Sequence, residues 1–421
     1  MSKFIRKLSE GVMLYDGAKA TVLQGRGLQT GECAEYWNIK KPEAVEEAYR
    51  SYIDAGSDLI QTNTFCANSV FLKQQGLYDK LYEINYEGAA LALACAKGRA
   101  LVAAAVGPLA VQLYPKGELC FEDAVATFKE QLRPLLDAGI SIVHFETFTN
   151  LAEMRAAVIA ARELGVNDII ASMVFSGGKT ACGNTPETCA ITCEAAGAQV
   201  VGANCMEGED ELLQVVRSMK KVTDLPIVAK PSAGLPEMQN GQMVYPVLPE
   251  EFAKLAETLT EEGVRLFGGC CGTGPVHIQK ARGGLNGKIP AGRKTDVGAF
   301  FCSAREHTAF SPNIRLAELG LCNSGLIENI KDGDYYCLMD ALPDRTEQAD
   351  ALLLNFEDAK LDFDVASFCA ALATYSHKPV VVNAVRTDVA EAFLRYYCGR
   401  AGVIGPADIY DAYGAFVMSG F

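Results

Sequence analysis

The sequence predicts an α/β protein: a (β/α)8 TIM barrel followed by a smaller α/β C-terminal module. Three observations carry this reading. Short apolar runs alternate with amphipathic or Ala-rich stretches from the start to about residue 285. Polar or cysteine-bearing residues follow those runs at their C-terminal ends. A glycine-rich stretch at 283–292 then separates these repeats from a second, shorter alternation.

The apolar runs lie at 12–15, 59–62, 101–106, 142–145, 169–174, 200–203, 227–229 and 264–267, and each reads as a strand. Between them, 42–55, 81–97, 121–137, 151–164, 186–196, 210–221 and 250–262 read as helices. Repeated strand–helix units imply a parallel sheet. Eight strands select a closed barrel over an open doubly wound sheet, and about 250 residues is the usual size. No GxGxxG or P-loop supports the nucleotide-binding alternative. The stretch 283–292 reads as a linker, giving a barrel over 1–290 and a module over 296–421. In that module 335–339, 351–354, 379–385 and 402–404 read as strands, and 364–373 and 388–397 as helices. It is too short for another full barrel and reads as a packing or docking module.

With 421 residues, 49% of them hydrophobic, the chain can bury a large core. Its formal charge of −14 argues against nucleic acid or an anionic membrane as partner. Fifteen cysteines in so long a chain, many in apolar contexts, read as free thiols of a reducing compartment. Residues 1–10 lack the apolar core of a signal peptide, and no apolar stretch reaches the ~20 residues of a membrane span. A cytoplasmic protein is expected.

The most informative segment is Gly268-Gly269-Cys270-Cys271-Gly272-Thr273, after the eighth run. Adjacent cysteines bond to each other only through a strained ring, whereas two thiolates at a strand end can reach one soft metal ion. Cys205, closing the sixth run in Val201-Gly202-Ala203-Asn204-Cys205, is the candidate third ligand on the same rim. Three thiolates and one vacancy describe a zinc site that binds a substrate. Gly268, Gly269 and Gly272 supply room for close backbone approach. A buried free thiol is the alternative for each cysteine. Three cysteinates leave zinc with a net negative charge, which suits carrying a substrate thiolate better than activating water. Thiol alkylation therefore fits the ligand set better than hydrolysis.

Other rim residues carry weaker signals. Glu146 could bind a substrate ammonium group, or could simply start a helix. Asp16 could bind a polar ligand group, with Gly17 admitting backbone, or could be a turn residue. Thr62, Asn63 and Asn204 offer hydrogen-bonding side chains on the same rim. His144 and His277 are isolated histidines, a type more often structural than ligating.

These segments resemble the zinc-dependent homocysteine S-methyltransferases, closest to the homocysteine-binding module of cobalamin-dependent methionine synthase. The resemblance is carried by Asp16-Gly17-Ala18, Gly31-Glu32-Cys33, Gln61-Thr62-Asn63-Thr64-Phe65, Gly107-Pro108, Glu146-Thr147, Gly202-Ala203-Asn204-Cys205, Lys230-Pro231-Ser232-Ala233-Gly234 and the double-cysteine segment. It implies one Zn2+ per chain on Cys205, Cys270 and Cys271. It implies that Glu146 receives the homocysteine amino group and that the Asp16–Gly17 region helps bind the amino-acid end. The expected reaction is methyl transfer to the homocysteine thiol, giving methionine. The methyl group is expected from a separate corrinoid protein or methylcobalamin, because 296–421 carries no Asp-x-His-x-x-Gly motif. A second reading takes the methyl group from S-methylmethionine or another sulfonium. A third makes the chain a non-catalytic thiol- or zinc-binding subunit that docks a corrinoid protein. Ala20, Gln61 and Ser232 depart from the family pattern, where Gly, Glu and Asn are usual. Residues 379–383 and 401–405 resemble part of a pterin-binding barrel.

Overall fold

The computed structural model describes residues 1–239, 242–285, 288, 290, 298–321, 325–342, 347–357, 362–404 and 413–418. Eight parallel strands form the first sheet: β1 (Met13–Leu14), β2 (Leu59–Gln61), β3 (Leu101–Val106), β4 (Ile142–Phe148), β5 (Asp168–Met173), β6 (Val200–Asn204), β7 (Ile227–Lys230) and β8 (Val264–Phe267). Neighbours in sequence are neighbours in space, and β8 pairs back onto β1 through Met13↔Leu266. A bridge between Tyr15 and Leu59, with the Asp58 amide donating to the Leu14 carbonyl at 2.7 Å, joins β1 to β2 and closes the ring. A helix follows every strand on the outside, the last being Pro275–Leu285. This is the (β/α)8 barrel that the repeated pattern predicts.

Inward-facing side chains fill the barrel: Met13 and Tyr15 from the first segment, Leu59, Ala103, Ile142, Ile170, Val200, Val228 and Leu266 from the others. Phe4 and Leu8 of an N-terminal helix, Lys3–Glu10, pack under this layer and stop the N-terminal mouth. Ser2 caps that helix by accepting from the Ile5 amide at 3.2 Å. The opposite mouth is open, so chemistry can gather only at the C-terminal strand ends. The main core lies between sheet and helices, where Phe128, Phe145 and Phe148 contact one another in tilted and edge-on pairs.

The C-terminal region holds a second parallel sheet in sequential order: β9 (Leu316–Gly320), β10 (Ala351–Glu357), β11 (Val380–Ala384), β12 (Gly402–Ile404) and β13 (Phe416–Val417). Leu352, Leu354, Val380 and Val382 face helices Val365–Tyr375 and Thr387–Tyr396 on one side. Ala351 and Val381 face the hairpin Phe300–Cys302/His307–Ala309 on the other. The hairpin and sheet dock on the barrel. Arg155, on barrel helix Leu151–Glu163, donates to the Leu394 and Arg395 carbonyls at 2.5 Å each, and Asn184 donates to the Ala304 carbonyl at 2.8 Å.

Two expectations are corrected here. The run 335–339 is not a strand: Cys337–Ala341 is a helix that sets Leu338 and Leu342, four apart, into the second core. A short apolar run does not separate strand from helix, and here the i, i+4 pair decides. The expected linker begins too early, since Gly283, Gly284 and Leu285 complete helix Pro275–Leu285. Of its other positions only 288 and 290 fall within the described residues. Among the described residues no helix is long and apolar enough to cross a membrane.

Candidate metal centre and amino-acid pocket

At the open mouth, a cavity of about 460 Å³ is lined by Gly17, Thr62, Glu146, Lys230 and the three cysteines, among others. Its cysteine wall is built by three adjacent strand ends. Cys205 follows β6 and holds a positive φ of 56°, rare for a side chain with a Cβ. Its amide donates to the Lys230 carbonyl at 3.0 Å. The Cys270 amide, after β8, donates to the next carbonyl, Pro231, at 2.8 Å. The end of β7 thus holds both cysteine loops. Gly268 permits this turn: a Cβ there would lie 2.5 Å from the Tyr15 Cβ and 2.9 Å from the Asp16 carbonyl oxygen. Thr273 closes the loop by donating its hydroxyl to the Cys270 carbonyl at 2.6 Å.

The sulfurs of Cys205, Cys270 and Cys271 all lie within 4.8 Å of one another. A hydrogen bond with Cys270 lowers Cys205, and one with Cys205 lowers Cys271, but a second sulfur hydrogen bond and burial outweigh this and leave both raised to about 11; the hydrogen bond with Cys205, with burial, pushes Cys270 up to about 12. No Asp, Glu or His joins this group among the described residues. The donor set therefore fits a tetrahedral thiophilic ion with one position left for an outside ligand.

The opposite end of the cavity is charged. β4 carries a register irregularity between Phe145 and Phe148, and Thr147 adopts a φ of 69°. Such a bulge re-aims side chains, and both Glu146 and Thr147 line the cavity. The prediction set Glu146 just after the fourth strand; it lies within it. Glu146 faces the buried Lys230 ammonium at 3.1 Å. Burial opposes the charge on each, yet their attraction holds Glu146 below the usual carboxylate range and Lys230 above the usual amine range. Asp16 is fully buried; one carboxylate oxygen accepts from the Gln61 amide at 2.8 Å and from Lys19 at 3.0 Å. Its other oxygen, Oδ1, has no hydrogen-bond partner. Gly17 cannot carry a side chain here, because a Cβ would lie 2.6 Å from the Thr273 carbonyl oxygen.

The remaining expected residues line or brace this pocket. The Thr62 hydroxyl accepts from the Ala105 amide at 3.0 Å and meets Thr64 at 2.5 Å. Asn63 Nδ2 donates to the Ala34 carbonyl and to Asn38. Asn204 is held by the Thr147 amide at 2.8 Å and directs its own Nδ2 to the Thr147 hydroxyl at 2.7 Å. His144 and His277 serve as braces and, among the described residues, join no candidate metal-ligand group. Sequence reasoning underrated Lys230 and Gln61. Their signal was available, as a lysine and a glutamine each ending an otherwise apolar strand.

The model of the family described as Homocysteine S-methyltransferase matches residues 13–284. The chain is 27% identical over 428 residues to a methionine synthase of Mycobacterium tuberculosis, covering 94% of this chain and 35% of that protein. It is 27% identical over 450 residues to a methionine synthase of Mycobacterium leprae, covering 97% of this chain and 36% of that protein. The chain thus spans about a third of the length of these relatives. Among solved structures, the metallated homocysteine methyltransferase MmuM from Escherichia coli superposes with a TM-score of 0.54 at 21% identity, covering 66% of this chain and 99% of that one. Its oxidised form gives 0.54 at 20% identity, covering 67% and 99%. At these identities the superpositions speak for the shared barrel alone.

Proposed function

Since the chain belongs to the homocysteine S-methyltransferase family, we propose that its barrel methylates the thiol of homocysteine to methionine, using one zinc ion per chain. The observation that carries this reading is the three-sulfur cluster beside a buried carboxylate in one cavity. Cys205, Cys270 and Cys271 would hold the metal. Bound zinc would lower the pKa of the substrate thiol and keep it available as a thiolate. Glu146, kept ionised by Lys230, accepts a hydrogen bond from the substrate ammonium. Asp16 Oδ1, the unpartnered buried oxygen, is a second acceptor for that end. Holding the ammonium at one wall fixes the sulfur at the other, so the methyl donor meets an aligned nucleophile. A new S–CH3 bond forms as the donor's bond to the methyl group breaks.

For the donor, we favour methylcobalamin, free or on a separate corrinoid protein. The similarity to methionine synthases runs over 94% of this chain, C-terminal module included. The module would then pack beside the barrel as a docking or partial pterin-barrel-like element. The test incubates the purified protein, loaded with Zn2+, with homocysteine and either methylcobalamin or S-methylmethionine. Methionine from methylcobalamin supports the reading. Methionine from S-methylmethionine alone replaces the donor, and none from either donor favours a non-catalytic binding subunit.

A further inference from the structure

A buried line of side chains crosses the barrel from the amino-acid end of the cavity to the cysteine end. Lys230, Gln61, His144, Ser172 and Asn204 all have at most 2% of their surface exposed. The Lys230 ammonium donates to Gln61 Oε1. Gln61 Nε2 lies 3.1 Å from His144 Nδ1, and His144 Nε2 lies 2.9 Å from Ser172 Oγ. Ser172 donates to Asn204 Oδ1 at 2.6 Å. Asn204 Nδ2 then reaches Thr147 Oγ1 at 2.7 Å and Cys270 Sγ at 3.8 Å.

The two ends of this line fix every group between them. An ammonium has three donors and no acceptor, so only the oxygen of Gln61 can face Lys230. That turns the Gln61 side-chain nitrogen toward His144. A backbone amide can only donate, so the Thr147 N–H, 2.8 Å from Asn204, must meet its Oδ1. Ser172 must then give its proton to that same oxygen and can only accept from His144. Both sides demand one state of the ring: neutral, with the proton on Nε2 and a bare Nδ1.

We propose that Gln61 is a positioning residue that selects the Nε2–H tautomer of His144, completing a one-way hydrogen-bond line that holds the Asn204 amide against Cys270. A glutamate at this position would offer two acceptors and no donor, and the line would lose its direction. Burial, the largest influence on His144, lowers its pKa to about 3, in keeping with a ring that stays neutral. His144 also stacks on Tyr15 at 5.5 Å between ring centres, which fixes its plane. The inference concerns the resting chain and does not depend on the methyl donor.

The test is nitrogen NMR of the metal-free full chain labelled with 15N-histidine. The sequence has four histidines. The substitutions His277→Gln, His307→Gln and His377→Gln leave His144 as the single imidazole observed. The expected spectrum at neutral pH is a neutral ring protonated at Nε2; an Nδ1–H ring or an imidazolium overturns the proposal. Gln61→Glu is expected to abolish the Nε2–H state, and its persistence removes Gln61 from the selecting role. Ser172→Ala, which deletes the partner on the other side, is expected to keep Nε2–H because Gln61 still donates. Loss of that state would assign the selection to Ser172 instead, and this arm decides even where Gln61→Glu does not fold.

Discussion

Lys230 and Pro231, consecutive at the end of β7, accept the amides of Cys205 and Cys270, residues that follow the strands on either side. Two neighbouring carbonyls thereby bring together sulfurs from distant parts of the chain, and Cys205 Sγ ends 3.7 Å from Cys271 Sγ. The cluster follows from the ring order of β6, β7 and β8, and the Lys230 side chain, pointing inward from the same residue, meets Glu146. One short strand end therefore serves both walls of the cavity.

Metal content is the first consequence. With three thiolates supplying the protein ligands, loss of one leaves too few for tight tetrahedral binding. The wild-type chain is expected to hold about one zinc, and Cys270→Ala and Cys271→Ala are each expected to lose most of it. Elemental analysis after dialysis against a weak chelator measures this. Full zinc retention in both variants would refute the assignment.

Glu146→Gln should weaken homocysteine binding while leaving the cysteines their metal. A hydrogen bond to a charged group contributes about 1.5–3 kcal/mol, so the homocysteine KM should rise roughly 10- to 160-fold. The same change leaves Lys230 buried without its counter-charge, which destabilises the fold by about 3 kcal/mol. Steady-state kinetics with zinc content measured alongside separates the two effects. An unchanged KM would remove Glu146 from the substrate site.

Much of this site was legible in the sequence, because a parallel barrel gathers its chemistry at the strand ends and each strand announces itself as an apolar run. The cysteines, Asp16 and Glu146 could be found that way. What stayed hidden depends on facing distances across the barrel. Lys230 and Gln61 are 169 positions apart, and no local pattern pairs them. The N-terminal helix was also missed: only two of its residues, Phe4 and Leu8, are buried, too short a stripe to register as a period. In the second module the helix Cys337–Ala341 has only 5 residues, so burial against the second core, not intrinsic preference, decides its form.

Arg155 should anchor the C-terminal module to the barrel. Its guanidinium is buried and donates to two carbonyls at the C-terminal end of helix Thr387–Tyr396, where a cation is also favoured by the helix dipole. Arg155→Ala is expected to cost about 3 kcal/mol, since two carbonyls lose a charged donor in a buried place. Limited proteolysis should then cut first in 296–421, ahead of the barrel. The wild-type cleavage pattern and melting temperature in the variant would show that the contact is incidental.

Glu153 gives the pH dependence. It is 5% exposed, and its carboxylate accepts the Leu109 amide at 2.7 Å. Burial raises its pKa from the ordinary 4.5 to about 7, against a smaller lowering by that hydrogen bond. Below about pH 4.5 the group is protonated in both folded and unfolded chains and costs nothing. Between about 4.5 and 7 the unfolded chain releases the proton first, so stability falls as pH rises, and the loss is complete above 7. Glu153→Gln keeps an oxygen for the Leu109 amide and removes the charge. The variant should be more stable than wild type by about 1–3 kcal/mol at pH 8, with the difference vanishing near pH 4.5. Urea denaturation at the two pH values measures it. An equal gain at both would mean that the charge of Glu153 is not what destabilises the wild-type fold.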